Sequence, residues 1–187
     1  MPESRTVLLV MDYQHGIVER IGDEKVLGAA VRAVAAARSA GIPVMFVRVA
    51  FRPGFPEAAE TNETFSAVAK AAGETMLEQS HGTRVHAALE PREDEPIILK
   101  RRVSAFAGSD LDVLLRAARA ERLVLAGLST SGVVLSTLRQ AADLDFRLTV
   151  LADACGDSDE EVHRVLLEKV FARQATVTTT DAWAATL

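Results

Sequence analysis

Three polar segments directly follow runs of apolar residues, and their side chains are of the kinds that move protons and hold anions. Asp12 follows the first run, Lys100 follows the third, and the segment GLSTSGV, which ends at Val133, follows the fourth. Because the carboxyl ends of parallel strands meet at one edge of a sheet, we expect an acid, a cation and a helix N-terminus to lie together there. Such a set can transfer a proton and stabilise an anion.

Other common active-site patterns are absent from the sequence. The turn after the first run, DYQHGIVERIG, lacks the GxGxxG fingerprint, no GxxxxGK[ST] motif is present, and GLSTSG does not have the GxSxG spacing. The four histidines form no HxH or HxxxH pair and have no cysteine neighbour. We therefore predict no metal site and no cofactor. A serine in GLSTSG would need a histidine base beside it, and the sequence places none there.

Composition and charge argue against nucleic acid and membrane partners. The 187 residues carry a net charge of −5 and only 5% are aromatic, whereas nucleic-acid binders usually show a basic excess and stacking aromatics. No apolar run approaches the roughly 20 residues of a membrane span, and VLLVMD near the N-terminus is too short for a signal peptide. The lone Cys155 fits a reducing compartment. We expect a cytoplasmic protein that acts on a small molecule.

The elements that must position these residues are short apolar runs that alternate with helix-like stretches. Each run is rich in Val, Leu and Ile and apolar on both faces, as in strands buried on both sides of a parallel sheet. This alternation predicts one α/β domain over residues 1–187, with three layers and a mostly parallel sheet. The six runs are Thr6–Met11, Ile42–Val49, Ile97–Leu99, Leu123–Ala126, Leu148–Leu151 and Ala175–Thr178.

Two further stretches are interpreted from composition and position. The Lys100-Arg101-Arg102 trio is the only basic cluster, and a solvated charged group describes the two arginines better than Lys100, which ends a strand. Residues 51–82 are irregular, and we expect a loop and one helix there that shape a pocket. They match no specificity motif, so the substrate is not identified.

Three blocks of the sequence resemble the isochorismatase-like hydrolase superfamily, also called cysteine hydrolases. They are VLLVMDYQ, LKRRVSAFAGSDLDVLLRAA and RLVLAGLSTSGVVLSTLRQAADLDFRLTVLADAC, and the similarity runs from about Thr6 to the C-terminus. The resemblance implies a three-layer α/β/α sandwich around a six-stranded parallel sheet. It also implies a triad of Asp, Lys and Cys, which falls on Asp12, Lys100 and Val133. Because valine has no nucleophile, a covalent thiol intermediate at that position is excluded.

Residues near the triad positions are expected to contact substrate, and the resemblance also implies backbone geometry and assembly. We expect Gln14, Phe106, Leu128 and Ser129 to bind substrate, although Gln14 could instead only satisfy loop backbone. A non-proline cis peptide is expected at Leu128–Ser129, and members usually form homodimers or higher homo-oligomers. Cys155 lies in a LADACGD segment that is often structural in this family, so we do not expect it to replace the missing nucleophile.

Three functions stay open at this point. True isochorismatases cleave a vinyl ether without a thiol, and by resemblance Asp12 would be the general acid while Lys100 tunes its proton and stabilises negative charge. The aspartic acid stays protonated near neutrality only if burial outweighs the lysine. The alternative is a catalytically impaired member that serves as a binding or assembly subunit. A third possibility is direct attack of water on an activated ester or amide.

Overall fold

Six strands alternate with helices along the chain, as the sequence predicts. The computed structural model describes residues 5–21 and 23–187, so residues 1–4 and position 22 of the predicted domain lie outside the described part. The strands are β1 (Thr6–Met11), β2 (Val44–Val49), β3 (Ile97–Lys100), β4 (Arg122–Leu128), β5 (Arg147–Gly156) and β6 (Thr176–Thr178). The helices are α1 (His15–Ile21), α2 (Glu24–Ser39), α3 (Glu63–Ala72), α4 (Leu111–Ala117), α5 (Leu135–Asp143), α6 (Glu160–Val165) and α7 (Thr180–Ala184).

The strands form one six-stranded sheet in the order β3-β2-β1-β4-β5-β6, and each of these neighbouring pairs is parallel. The chain therefore starts in the middle, builds one half of the sheet, and then crosses β1 to build the other half. This confirms the predicted α/β fold class. The order places the topological switch point between β1 and β4, where ligands of open α/β sheets bind beyond the carboxyl ends of the strands.

Alternate residues of β1 point into two separate cores. Leu9 and Met11 pack in a cluster with residues of α4 and α5, whereas Leu8 and Val10 pack with the alanine-rich face of α2 and with Trp183 of α7. Burial on both faces explains why β1 reads as a continuous apolar run. The sheet thus lies between two helical layers.

The largest difference from the sequence prediction is the length of β5. The apolar run ends at Leu151, but the strand continues through Ala154 and Cys155 to Gly156. Pairing with β4 shifts register between Leu125 and Gly127, and this irregularity lets the second half of β5 follow the end of β4. A prediction based on apolar runs does not include the polar and small residues at the end of a strand.

Residues 51–82, named the outer wall below, pass across the carboxyl edge of the sheet and include α3. Phe51 pairs with Leu77 in a parallel bridge, so the start and the end of the outer wall lie side by side. Phe51 and Phe65 are buried in a small third cluster, against which Ile17 of α1 packs. The predicted loop and helix are therefore both present.

Candidate active site

Asp12 and Lys100 form a buried ion pair at the carboxyl edge of the sheet. Lys100 Nζ lies 2.9 Å from Asp12 Oδ2, and the two side chains are 3% and 7% exposed. The ammonium group also donates to the carbonyl oxygen of Arg102 at 3.0 Å. Asp12 itself has φ 59°, a left-handed conformation in which aspartate is tolerated better than most residues. The backbone turn after β1 thus holds the carboxyl group against the end of β3.

Burial and Lys100 shift the pKa of Asp12 in opposite directions. Desolvation raises the pKa of the Asp12 carboxyl above its ordinary value, and this effect exceeds the opposing influence of the charge and hydrogen bond of Lys100. The second carboxyl oxygen, Oδ1, is buried and has no hydrogen-bond partner among the described residues. A carboxyl group with one oxygen held by an ammonium and the other free is suited to donating a proton from the free oxygen.

The turn after β4 brings a helical segment to the same edge. The Leu128–Ser129 peptide bond is cis, as predicted, and a π-helical turn over Thr130–Val134 follows it. Ser129 Oγ accepts a hydrogen bond from the backbone N–H of Gly132 at 3.1 Å. A Cβ at Gly132 would lie 2.5 Å from that same oxygen, so only glycine permits this hydrogen bond.

A cavity of about 450 Å³ joins these elements. Asp12, Lys100, Leu128, Ser129 and Val133 all line it, so the structure brings five of the seven predicted site residues together. Most of the remaining lining residues are apolar. They include Ile17, Val49, Phe51, Phe65, Val68, Met76 and Val103.

Gln14 and Phe106 lie outside the cavity lining, so the structure does not bring them together with the other five predicted site residues. The Gln14 amide nitrogen donates to the carbonyl oxygens of Val49 at 2.8 Å and Thr83 at 2.9 Å, and its oxygen accepts from Val49 N at 2.8 Å. Its hydrogen-bonding groups are thus engaged by backbone, which was the alternative interpretation. Phe106 packs in the core near Phe146, with 6.3 Å between ring centroids.

The structure brings together two groups of residues that contain histidine and that no sequence pattern indicates, because their members are far apart in sequence. His163 Nδ1 lies 2.8 Å from Thr130 Oγ1, so a histidine does neighbour the GLSTSG segment. Thr130 is fully buried and does not line the cavity, however, and this pair has no access to a substrate there. The ring of His15 also contacts the rings of His81 and His86. Within residues 5–21 and 23–187, no group of three or more His, Cys, Asp or Glu side chains could hold a metal ion.

Cys155 is shielded from reagents as well as from the cavity. The residue is 1% exposed, and burial raises the pKa of its thiol to about 12. At about pH 8 the reactive thiolate is then on the order of 10⁻⁴ of the total. We expect iodoacetamide to leave the native protein unmodified under conditions that fully alkylate the urea-unfolded chain, as measured by intact mass spectrometry. Equal modification of native and unfolded protein would contradict this burial.

Comparison with known proteins agrees with the fold. The isochorismatase domain model matches residues 6–182. This chain belongs to the isochorismatase family. An uncharacterized isochorismatase family protein of Escherichia coli O157:H7 is 32% identical over 176 residues, which cover 92% of this chain and 90% of that protein.

The chain is also similar to a named enzyme and to a solved structure. A ureidoacrylate amidohydrolase of Methylobacterium radiotolerans is 30% identical over 187 residues, covering 88% of this chain and 72% of the relative. The crystal structure of an isochorismatase family protein from Desulfovibrio vulgaris superposes with a TM-score of 0.87 at 24% identity and covers 98% of both chains. The structural match supports the isochorismatase fold. As a separate finding, no helix in the described ranges is long and apolar enough to cross a membrane.

Proposed function

We propose that this protein is a hydrolase that cleaves a small vinyl ether without a covalent thiol intermediate. The observation that carries the proposal is the Asp12 side chain, which lines the cavity, is buried with a raised pKa, and has one carboxyl oxygen without a hydrogen-bond partner among the described residues. Vinyl ether hydrolysis begins with protonation of carbon, so it requires a positioned acid and no nucleophilic side chain.

The proposed reaction uses Asp12 as acid and then as base. The Oδ1 proton passes to the terminal vinyl carbon, and the ether becomes an oxocarbenium ion. Water adds to this ion and returns a proton to the carboxylate, and the resulting hemiketal breaks down to an alcohol and a carbonyl compound. Lys100, 2.9 Å from Oδ2, stabilises the carboxylate that exists between the two proton transfers.

Val133 supports this choice over amide hydrolysis. It lines the cavity with Asp12 and Lys100, at the position where the family resemblance expects the nucleophilic cysteine. The relative from Methylobacterium radiotolerans is named as a ureidoacrylate amidohydrolase, an enzyme that hydrolyses an amide. A valine side chain forms no bond to a substrate carbonyl, so we propose that this chain has left the thiol-dependent reaction.

A substrate panel tests the proposed function. We expect the purified protein to hydrolyse isochorismate, a small vinyl ether, and to leave ureidoacrylate and simple amides and esters unchanged, as measured by product formation in chromatography with mass detection. Turnover of amides or esters alone would favour direct attack of water. Inertness toward every compound, with binding of one of them detected by calorimetry, would favour the binding subunit.

The pH dependence of kcat/KM distinguishes an acid from a base at Asp12. The protonated form is the active one, so kcat/KM is highest at low pH and falls as pH rises through the pKa of Asp12 in the free enzyme. Because burial raises that pKa, the decline begins above the usual range of an aspartate. A rise of kcat/KM over the same interval would assign Asp12 the role of a base.

Homo-oligomer formation and cytoplasmic location stay predictions.

A further inference from the structure

Arg101 ties three parts of the chain to the strand end that carries Lys100. Its guanidinium forms ion pairs with the Glu57 carboxylate, at 3.5 Å, and with the Glu78 carboxylate. It also donates a hydrogen bond to the backbone oxygen of Ala50. Glu57 and Glu78 lie near the two ends of the outer wall, and the Arg101 side chain is only 12% exposed. The interpretation of Arg101 as a solvated surface charge is therefore wrong.

Arg102 makes a second set of contacts with the same wall. Its guanidinium donates to the backbone oxygen of Glu57 at 2.9 Å and lies 5.4 Å from the centroid of the Phe65 ring. Phe65 is one of the side chains that line the cavity. The carbonyl oxygen of Arg102 also accepts the 3.0 Å hydrogen bond from Lys100 Nζ. One residue thus touches both the cavity wall and the ammonium group of the ion pair.

These contacts are more shielded from water than ordinary surface pairs. Exposed ion pairs contribute little because water screens them, whereas pairs that are mostly shielded lose more when one partner is removed. Glu57 illustrates the shielding, since its Oε1 is shared by Arg52 at 2.6 Å and by Arg101, while its Oε2 is buried without a hydrogen-bond partner among the described residues. Removing Arg101 would leave two carboxylates of the wall without a cation that reaches both.

We propose that Arg101 and Arg102 are positioning residues that hold the outer wall closed over the Asp12–Lys100 pair, so that substrate affinity depends on them although neither lines the cavity. The proposal rests on the proposed function for the role of that ion pair. Lys100 is the last residue of β3, and Arg101 and Arg102 follow it directly. Because the three residues are consecutive, the ammonium group and both wall contacts are held at a fixed distance from one another. A substrate therefore meets a wall whose position is already fixed relative to the acid.

Hydrogen exchange on the free protein tests the wall without any assumption about activity. We expect Arg101→Gln to accelerate amide exchange in peptides from residues 51–82 by at least about tenfold, with little change in peptides of β4, because the wall opens locally. Glu78→Gln should accelerate exchange in the wall by a similar factor. The double variant should accelerate it by less than the product of the two factors, because both substitutions remove the same ion pair. Arg116→Gln removes an exposed pair with Asp112 on α4 and serves as the control. Unchanged exchange in the wall of Arg101→Gln would overturn the proposal.

Kinetics with the vinyl ether then separates positioning from general stability. If only the closed wall binds substrate, KM rises by the factor by which the closed fraction falls, while kcat stays within about threefold. We expect this pattern for Arg101→Gln and Arg102→Gln, and wild-type KM for Arg116→Gln. A fall of kcat at constant KM would contradict the positioning role. Absence of turnover in the wild-type protein would reject the proposed function instead, and hydrogen exchange of Arg101→Gln and Arg102→Gln would still decide whether the two arginines hold the wall.

Discussion

Asp12→Asn is expected to lower kcat/KM for vinyl ether hydrolysis by about 10²–10⁴-fold, the range observed when a general acid is lost. The asparagine side chain has nearly the same shape and can still accept a hydrogen bond from Lys100 Nζ, which lies 2.9 Å from Asp12 Oδ2. It has no acidic proton to give to carbon. Initial rates over a range of substrate concentrations measure the effect, and thermal unfolding followed by circular dichroism confirms that the variant folds.

The matched control is Asp94→Asn, which makes the same chemical change at an exposed position. We expect it to keep wild-type kcat/KM. The pH decline of kcat/KM should also disappear in Asp12→Asn, because the group that titrates is gone. Residual activity within about threefold of wild type would show that another acid protonates the substrate, and the assignment of Asp12 would then fail.

Val133→Cys is expected to create a reactive thiol in a protein whose native cysteine is inert. The new side chain would lie in the first helical turn after β4 and in the cavity that holds Lys100. A helix N-terminus and a neighbouring ammonium both lower a thiol pKa. We expect iodoacetamide to modify this thiol at least about 10²-fold faster than Cys155 in the native protein, as followed by intact mass spectrometry over time.

Val134→Cys supplies the control for this experiment. Val133 and Val134 are both buried, but only Val133 lines the cavity, so a cysteine at position 134 should react as slowly as Cys155. Slow hydrolysis of an amide such as ureidoacrylate by Val133→Cys, and not by Val134→Cys, would agree with a nucleophile position at residue 133. Equal reactivity of the two thiols would show that residue 133 has no special environment.

The apolar runs predicted the strands because burial on both faces of a parallel sheet demands Val, Leu and Ile at successive positions. The runs therefore located β1 with its observed bounds, Thr6–Met11. The prediction for β5 is too short, because the strand continues through Asp153 and Cys155. In that part of the strand, a register shift interrupts the regular pairing with β4. Strand ends are set by neighbouring strands, and composition alone does not carry that information.

The order of residues along the chain shows which side chains follow each strand, and the parallel topology then places Asp12, Lys100 and Val133 at one edge of the sheet. The sequence did not determine the direction in which the pKa of Asp12 shifts, because burial and Lys100 act in opposite directions and their balance depends on the packing around the carboxyl group. It also gave no sign that Arg101 faces two carboxylates of the outer wall. Contacts between residues distant in sequence depend on how the whole chain packs, and that packing exists only in the tertiary structure.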